Sequence, residues 1–327
     1  KKSVAKTTVK PVAVVATQPD PNDKTTQVVK IVKKSSSKIK SEAPPIPISQ
    51  DDYPTAYGPI SGFKKIVSWN VNSINAALKK GAKDYVDKES VDILCLQETK
   101  ANPESIGKIN QELGSWPHAY FSCSQKKGYA GTAILSKIRP ENVYYGLEVG
   151  NNHEQDGRVI IAEFKEFLLV NTYVPNAGMK LENLSFRGEW DQKLRERMAA
   201  LSATRNKPIL WTGDLNVAHT DWDLARPDER RNKVPGATDQ ERESFAETLK
   251  NNKLVDLWRS RNSEPRLQHF TFWSYKFQAK QKNNGWRLDY WCASESLASR
   301  LGEIFFRTPV ASSDHCPIGI LIEEQMF

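Results

Sequence analysis

The stretch KKIVSWN (64–70), followed by YVDKESVD (85–92) and ILCLQE (93–98), decides the fold of this chain. KKIVSWN and ILCLQE each place consecutive apolar residues in a short run, the signature of a strand buried on both faces. YVDKESVD between them reads as the end of a helix. The same kind of strand recurs in GTAILS (131–136), RVIIAEF (158–164), FLLVNTYV (167–174), KPILWTGDLNV (207–217), RLDYWCAS (287–294) and PIGILIEE (317–324). Two helices separate some of these runs. NLSFRGEWDQKLRERMAALSAT (183–204) is amphipathic with a helical period, and TDQERESFAETLKN (238–251) opens with Thr238 as N-cap and Glu241 completing a capping box. Strands alternating with helices, many apolar on both faces, predict a layered α/β fold. No internal repeat and no glycine-rich nucleotide loop is present, which leaves a Rossmann or P-loop reading without support.

Charge divides the chain. The formal net charge of +8 comes mostly from residues 1–50, which carry ten Lys against three acids. No aromatic residue occurs before Tyr53, so this part buries too little apolar surface to offset its ordering entropy. Residues 1–60 are therefore read as a disordered Lys-rich tail and 61–327 as one domain. KIVKKSSSKIK (30–40) fits a nuclear-import patch, a nonspecific nucleic-acid arm or a solubilising tail. No Arg precedes Arg139, which argues against an Arg-rich mitochondrial presequence. Any nucleic-acid contact by the nearly neutral domain needs a local patch. Cys95, Cys123, Cys292 and Cys316 are scattered, which fits a reducing compartment and gives neither a disulfide framework nor a zinc site. No apolar run reaches the roughly 20 residues of a membrane span.

Several apolar runs end on polar residues. Asn70, Glu98, Tyr173 with Asn176, Asp214 with Asn216, and Asp289 do so, and Asp314 and His315 stand side by side near the end of the chain. Singly, each reads as a cap, an Asx turn or a solvated loop residue. Together they are carboxylates, amides, a tyrosine and one histidine at strand ends, where a rigid sheet positions a site. That set suits a hard cation such as Mg²⁺, which takes oxygen ligands and keeps several waters. It also suits phosphodiester hydrolysis, which needs an oriented water and neutralised phosphate charge.

SWNVNS, LCLQETK, YVPNAG, GDLNVAH, TFWSY, GWRLDY and SDHCPI occur in this order from about Lys64 to Ile322. On these motifs the chain resembles the exonuclease III-type apurinic/apyrimidinic (AP) endonucleases of the endonuclease/exonuclease/phosphatase superfamily. The resemblance implies a four-layer α/β sandwich, two β-sheets face to face with helices outside. It implies Mg²⁺ as cofactor, with Mn²⁺ expected to substitute, held by Glu98, Asn72 and Asp314. It implies Asn70 in the metal and phosphate network and Asp214 activating water, with Asn216 orienting the water or phosphate. Tyr173 and Asn176 match phosphate contacts, and His315 matches a donor to phosphate held by Asp289. Phe272, Trp286 and Leu288 match an apolar pocket for an extruded abasic sugar, where the missing base lowers the unstacking cost. Trp273 is read as core.

Departures from the pattern concern three positions. Asn72 stands where the animal relatives carry Asp, Met179 where they carry Arg, and Val67 where vertebrate members carry a cysteine linked to a redox role. Lys100, Lys126, Lys127 and Tyr129 are expected at DNA phosphates, with Met179 as an apolar wedge. The basic segment 221–237 matches a DNA-facing loop only loosely. The expected activity is incision of duplex DNA 5′ to an abasic site, leaving a 3′-hydroxyl and a 5′-deoxyribose phosphate, with weaker 3′→5′ trimming. Expected partners are abasic double-stranded DNA and base excision repair proteins, with no membrane, a monomeric state and a nuclear location that a mitochondrial fraction accompanies. Two rivals stay open: a superfamily phosphoesterase acting on lipid or inositol phosphates, and a non-catalytic nucleic-acid-binding scaffold.

Overall fold

The structure is a computed structural model that describes residues 46–47, 56–147, 156–262, 264 and 267–327. The tail up to residue 45, with its basic stretch, lies outside these residues. Residues 56–60, expected to belong to the tail, instead pack on the domain. Lys65 Nζ donates to the Ala56 carbonyl at 2.6 Å, and the Tyr57 ring lies 4.1 Å from Lys88 Nζ and 4.2 Å from the Arg307 guanidinium. Beneath them Glu89 is buried and accepts from Lys65 and Arg307, both at 2.6 Å.

The strands in chain order are β1 Ile46–Pro47, β2 Phe63–Asn70, β3 Ile93–Gln97, β4 His118–Ser122, β5 Thr132–Ser136, β6 Asn142–Tyr145, β7 Val159–Glu163, β8 Leu168–Tyr173, β9 Ile209–Asp214, β10 Leu254–Asp256, β11 Leu267–Gln268, β12 Asp289–Ser294, β13 Leu301–Phe306 and β14 Ile318–Glu323. They form two six-stranded sheets, ordered β13-β14-β2-β3-β5-β4 and β10-β12-β9-β8-β7-β6, while β1 pairs with β11. In each large sheet one central pair is parallel, β2 with β3 and β8 with β9, and its other neighbours are antiparallel.

Strand alternation explains the layers. Along β2 and β3, Ile66, Ile93 and Cys95 point between the sheets, while Val67, Trp69, Leu94 and Leu96 point out toward helices Ile74–Lys79, Ala82–Glu89 and Ile106–Glu112. In the second sheet Ile160, Leu169, Leu210 and Trp291 face inward. Val170, Trp211 and Tyr290 face outward, against helices Leu184–Arg205 and Asp239–Asn251. The result is helices, sheet, sheet, helices, the expected four-layer α/β sandwich. The Thr238 capping box is present, with Glu241 N–H donating to Thr238 Oγ1 at 3.1 Å and Thr238 N–H donating back to Glu241 Oε2 at 3.2 Å. Among the described residues no helix is long and apolar enough to cross a membrane.

The same alternation places the site. Inward-facing positions are apolar low in the strands and become polar toward the C-terminal ends of the parallel strands. Ser68 and Asn70 follow Ile66, Asn171 and Tyr173 follow Leu169, and Thr212 and Asp214 follow Leu210. Gln97 spans the gap, donating to Ser68 Oγ at 3.0 Å and Asn171 Oδ1 at 2.7 Å. Gly213 has φ +136, and a Cβ there would lie 1.9 Å from the Thr172 carbonyl oxygen, so only glycine lets β8 and β9 close up beneath Tyr173 and Asp214.

Candidate active site

Above this polar floor lies a cleft of about 400 Å³ lined by Glu98, Tyr173, Asn176, Met179, Asp214, Asn216, Phe272, Trp286, Leu288, Asp314 and His315, with Val234, Pro235 and Gly236 closing one side. Asn70 is fully buried at its base. Its Nδ2 donates to Glu98 Oε1 at 3.0 Å and to Asp214 Oδ2 at 2.8 Å, so one amide joins a carboxylate from each sheet. Glu98, one residue past β3, and Asn216, two past β9, lie in the left-handed region, at φ 47° and 48°. Non-glycine residues adopt this conformation at a cost, and such strain clusters at functional sites. Here it turns both side chains from the strand direction into the cleft.

His315 Nδ1 lies 2.8 Å from Asp289 Oδ2, and its Nε2 lies 3.8 Å from Asp214 Oδ2. The Asp289 bond fixes the imidazole and leaves Nε2 toward the cleft. Burial opposes a charge on His315, but the Asp289 and Asp214 carboxylates outweigh it and push its pKa up to about 10. Burial also raises the Asp214 carboxyl, to about 7; His315 opposes this, and Asp289 and Glu98 add to it. The Glu98 carboxyl is the contrast. Burial would raise it, but the Asn70 amide and the Lys100 ammonium hold it below its ordinary range. Burial, with Glu98 and Asp214 nearby, lifts the Tyr173 phenol well above its ordinary range, so it stays a donor.

Asn216 accepts from Asn176 Nδ2 at 3.1 Å and donates to the Val174 carbonyl at 2.8 Å. Phe272 and Trp286 exchange two backbone hydrogen bonds of 2.9 Å, and the Phe272 ring stands 4.8 Å from the His315 ring. The apolar wall is thereby locked to the polar one. Two residues of the quoted motifs without an expected role do this joining. Thr271 Oγ1 accepts from Leu288 N–H at 3.0 Å and Asp289 N–H at 3.1 Å. Ser313 Oγ donates to the Asn70 carbonyl at 2.8 Å. The signal for both was their place inside TFW and SDH. Trp273 is buried in a separate small core, as expected.

Not every expected residue lines the cleft. Lys100, expected at a DNA phosphate, is partly buried, with Nζ 3.0 Å from Glu98 Oε2 and 2.6 Å from Asn72 Oδ1. Asn72 Nδ2 in turn donates to the Asp314 carboxylate at 3.1 and 3.2 Å. Lys126, Lys127 and Tyr129 are exposed and lie outside the cleft lining, with Lys126 Nζ over the Tyr129 ring at 4.8 Å. Met179 is 78% exposed at the cleft mouth.

Glu98, Asn72 and Asp314 offer only oxygen, which fits a hard divalent cation. The Lys100 ammonium already sits as a cation against two of these oxygens. Among the described residues no group of three His, Cys, Asp or Glu side chains is spaced to enclose a metal.

A two-sheet sandwich with carboxylates, amides and one histidine gathered at one end is a hydrolase architecture, and the comparisons agree with it. Residues 67–315 match the Endonuclease/Exonuclease/phosphatase family, and the chain belongs to it. Within that family it falls among the AP endonucleases. A DNA-(apurinic or apyrimidinic site) endonuclease of Dictyostelium discoideum is 43% identical over 262 residues, covering 79% of this chain and 70% of its own. The DNA repair nuclease APEX1 of Danio rerio is 40% identical over 287 residues, covering 86% and 91%. The crystal structure of AP endonuclease LMAP from Leishmania major superposes with a TM-score of 0.73 at 30% identity, covering 86% of this chain and 93% of that one.

Proposed function

We propose that this enzyme hydrolyses the phosphodiester on the 5′ side of an abasic site in duplex DNA, with Mg²⁺ as cofactor, leaving a 3′-hydroxyl and a 5′-deoxyribose phosphate. The observation that carries this reading is the meeting of two unlike walls. An apolar wall of Phe272, Trp286 and Leu288 faces a hydrolytic wall of Asp214, His315, Tyr173 and Asn176 across one small cleft. A sugar without its base fits such a slot, and its phosphate then lies against the polar wall.

Asp214 acts on the attacking water. Its raised pKa keeps it near neutrality, where a general base works best. Asn70 and the Asn216 backbone N–H fix its two oxygens, at 2.8 and 3.0 Å. His315 presents a charged Nε2–H to a phosphate oxygen, and Asp289 holds the ring for that task. Tyr173 and Asn176 add neutral donors to the developing charge. Glu98, Asn72 and Asp314 would hold the cation, which neutralises phosphate charge when bound. Trimming of 3′ ends uses the same groups, with a terminal nucleotide in place of the abasic sugar. Base excision repair and a nuclear location are the setting this activity implies.

The test is incision of a labelled duplex carrying one synthetic abasic site, beside an undamaged duplex, with Mg²⁺ or EDTA. A single lesion-dependent nick that EDTA abolishes is expected. Equal cutting of both duplexes, or none with folded protein and Mg²⁺, overturns the reading.

A further inference from the structure

Arg158 lies outside the cleft lining yet touches both the exposed loop expected at DNA and a tyrosine of the polar wall. It stands just before β7, is only 5% exposed, and its guanidinium is flanked by two tyrosine rings. The Tyr173 ring lies 4.7 Å away and the Tyr129 ring 5.4 Å away. Its nitrogens are all assigned. Nε donates to Asp156 Oδ2 at 3.0 Å, Nη1 to the Tyr173 carbonyl at 3.3 Å, and Nη2 to the Tyr129 hydroxyl at 2.8 Å. The Arg158 carbonyl accepts from Tyr173 N–H at 2.9 Å. Tyr129 itself is 39% exposed, with the Lys126 ammonium over its ring at 4.8 Å.

The backbone around Arg158 is tied to the same loop. Gly131 N–H donates to the Asp156 carbonyl at 3.3 Å, and Thr132 Oγ1 to the Gly157 carbonyl at 3.0 Å. Gly157 has φ +63, and a Cβ there would lie 2.3 Å from the Ser122 carbonyl oxygen. The chain thus runs against the 122–132 segment at a distance that only glycine permits. Little freedom is left for Arg158 to move independently of Tyr129.

We infer that Arg158 is a positioning residue that sets the place of Tyr173 in the cleft according to the place of Tyr129 at the surface. This rests on the proposed function, since it takes the exposed loop as a DNA contact and Tyr173 as a phosphate donor. A planar fork is required. Arg grips a hydroxyl, a carbonyl and a carboxylate at once while lying against aromatic faces, and the ammonium of Lys has no plane to lie flat on them. A 1 Å misplacement of a positioned group costs up to about 100-fold in rate, so loosening this link at the buried Arg158 is measurable without removing a group that lines the cleft.

The test is a double-mutant cycle of Tyr129→Phe and Arg158→Lys. Single-turnover incision is followed with enzyme in saturating excess, so that the rate constant does not depend on the folded fraction. Tyr129→Phe removes only the hydroxyl that Arg158 grips, and about a fivefold slowing is expected. Arg158→Lys is expected to slow the step about tenfold or more, and the double variant to match Arg158→Lys within about twofold. Losses that multiply in the double variant, or single variants with wild-type rate constants, overturn the inference. A second readout needs no substrate. The ring resonance of Tyr173 in ¹³C-tyrosine-labelled protein, assigned with Tyr173→Phe, should move in both single variants. A resonance that stays fixed sinks the link even if incision is slowed. Wild-type protein that fails to nick the abasic duplex, with the resonance still moving, sinks the proposed substrate and supports the link.

Discussion

Asp289→Asn separates the roles of the His315 ring most cleanly. Asp289 is 1% exposed, His315 is 4% exposed, and they meet at 2.8 Å. The amide keeps the size of the carboxylate and removes its charge. A hydrogen bond between charged groups contributes about 1.5–3 kcal/mol, and the neutral replacement about half of that. The loss in transition-state stabilisation is then about 1.1 kcal/mol, or about sixfold in the single-turnover rate. The loss must also depend on pH. Burial lowers the imidazole pKa and Asp289 is the foremost group raising it, so removing the carboxylate drops the pKa. A His with a lowered pKa loses its proton as pH rises through that lower value. The ratio of wild-type to variant rate is therefore smallest near pH 6 and grows toward pH 9. Asp289 also raises the Asp214 carboxyl, so its removal lets Asp214 ionise at lower pH, which favours the variant most near pH 6 and acts in the same direction. The assay is incision of the abasic duplex under enzyme excess across this range, with near-ultraviolet circular dichroism as the folding control. A variant within threefold of wild type throughout, or a deficit constant with pH, would mean that Asp289 does not hold a proton on His315.

Asn72→Asp adds a charge to the oxygen that Lys100 now occupies, and should lower the half-saturating Mg²⁺ concentration about tenfold, near 1.4 kcal/mol, in an incision titration; an unchanged midpoint would place the cation elsewhere. Asp223→Ala removes a fully buried carboxylate that accepts from Arg287 Nε at 2.7 Å and Arg259 Nε at 3.1 Å, and should cost about 3–5 kcal/mol in urea unfolding. A loss under about 1 kcal/mol would show that the two arginines find other partners. Burial, with Arg287 and Arg259 nearby, lowers the His269 imidazole to about 3. The unfolded chain then binds a proton that the folded one refuses, so this contribution is whole above about pH 6.5 and drains away below it by up to about 1.4 kcal/mol per unit. His269→Gln should flatten the fall in urea midpoint between pH 7 and 5, and equal slopes for the two proteins would discount His269.

The central strands were legible because parallel strands covered on both faces read as unbroken apolar runs, as in IVSW and ILCL. The edge strands were not. HAYFS in β4 is half-exposed along its length and NVYY in β6 is exposed at both ends, so neither gives an apolar run or a clean alternation. The polar strand ends were legible as a group, since Asn70, Asp214 and Asp289 break apolar segments at their last or first residue. What the sequence hid was direction. Lys100 looks like any surface lysine until the left-handed backbone at Glu98 and Lys100 folds its ammonium back on the site. Arg158 stands just ahead of an apolar strand, and only the register of β7 on β8 sets it beside Tyr173.

The sheet that carries Tyr173, Asp214 and Asp289 is built wholly from residues 142–294, inserted between strands of the other sheet. Asn70 and His315 belong to the outer parts of the chain, before and after that insertion. The bonds Asn70–Asp214 and His315–Asp289 therefore close a circuit between two separately built halves. A molecule with one half loosened keeps its individual side chains but has neither the Asn70–Asp214 nor the His315–Asp289 bond, on which the proposed chemistry depends. Competence to cut is thus conditional on complete assembly, and a nascent or partly unfolded chain is a silent nuclease rather than an indiscriminate one.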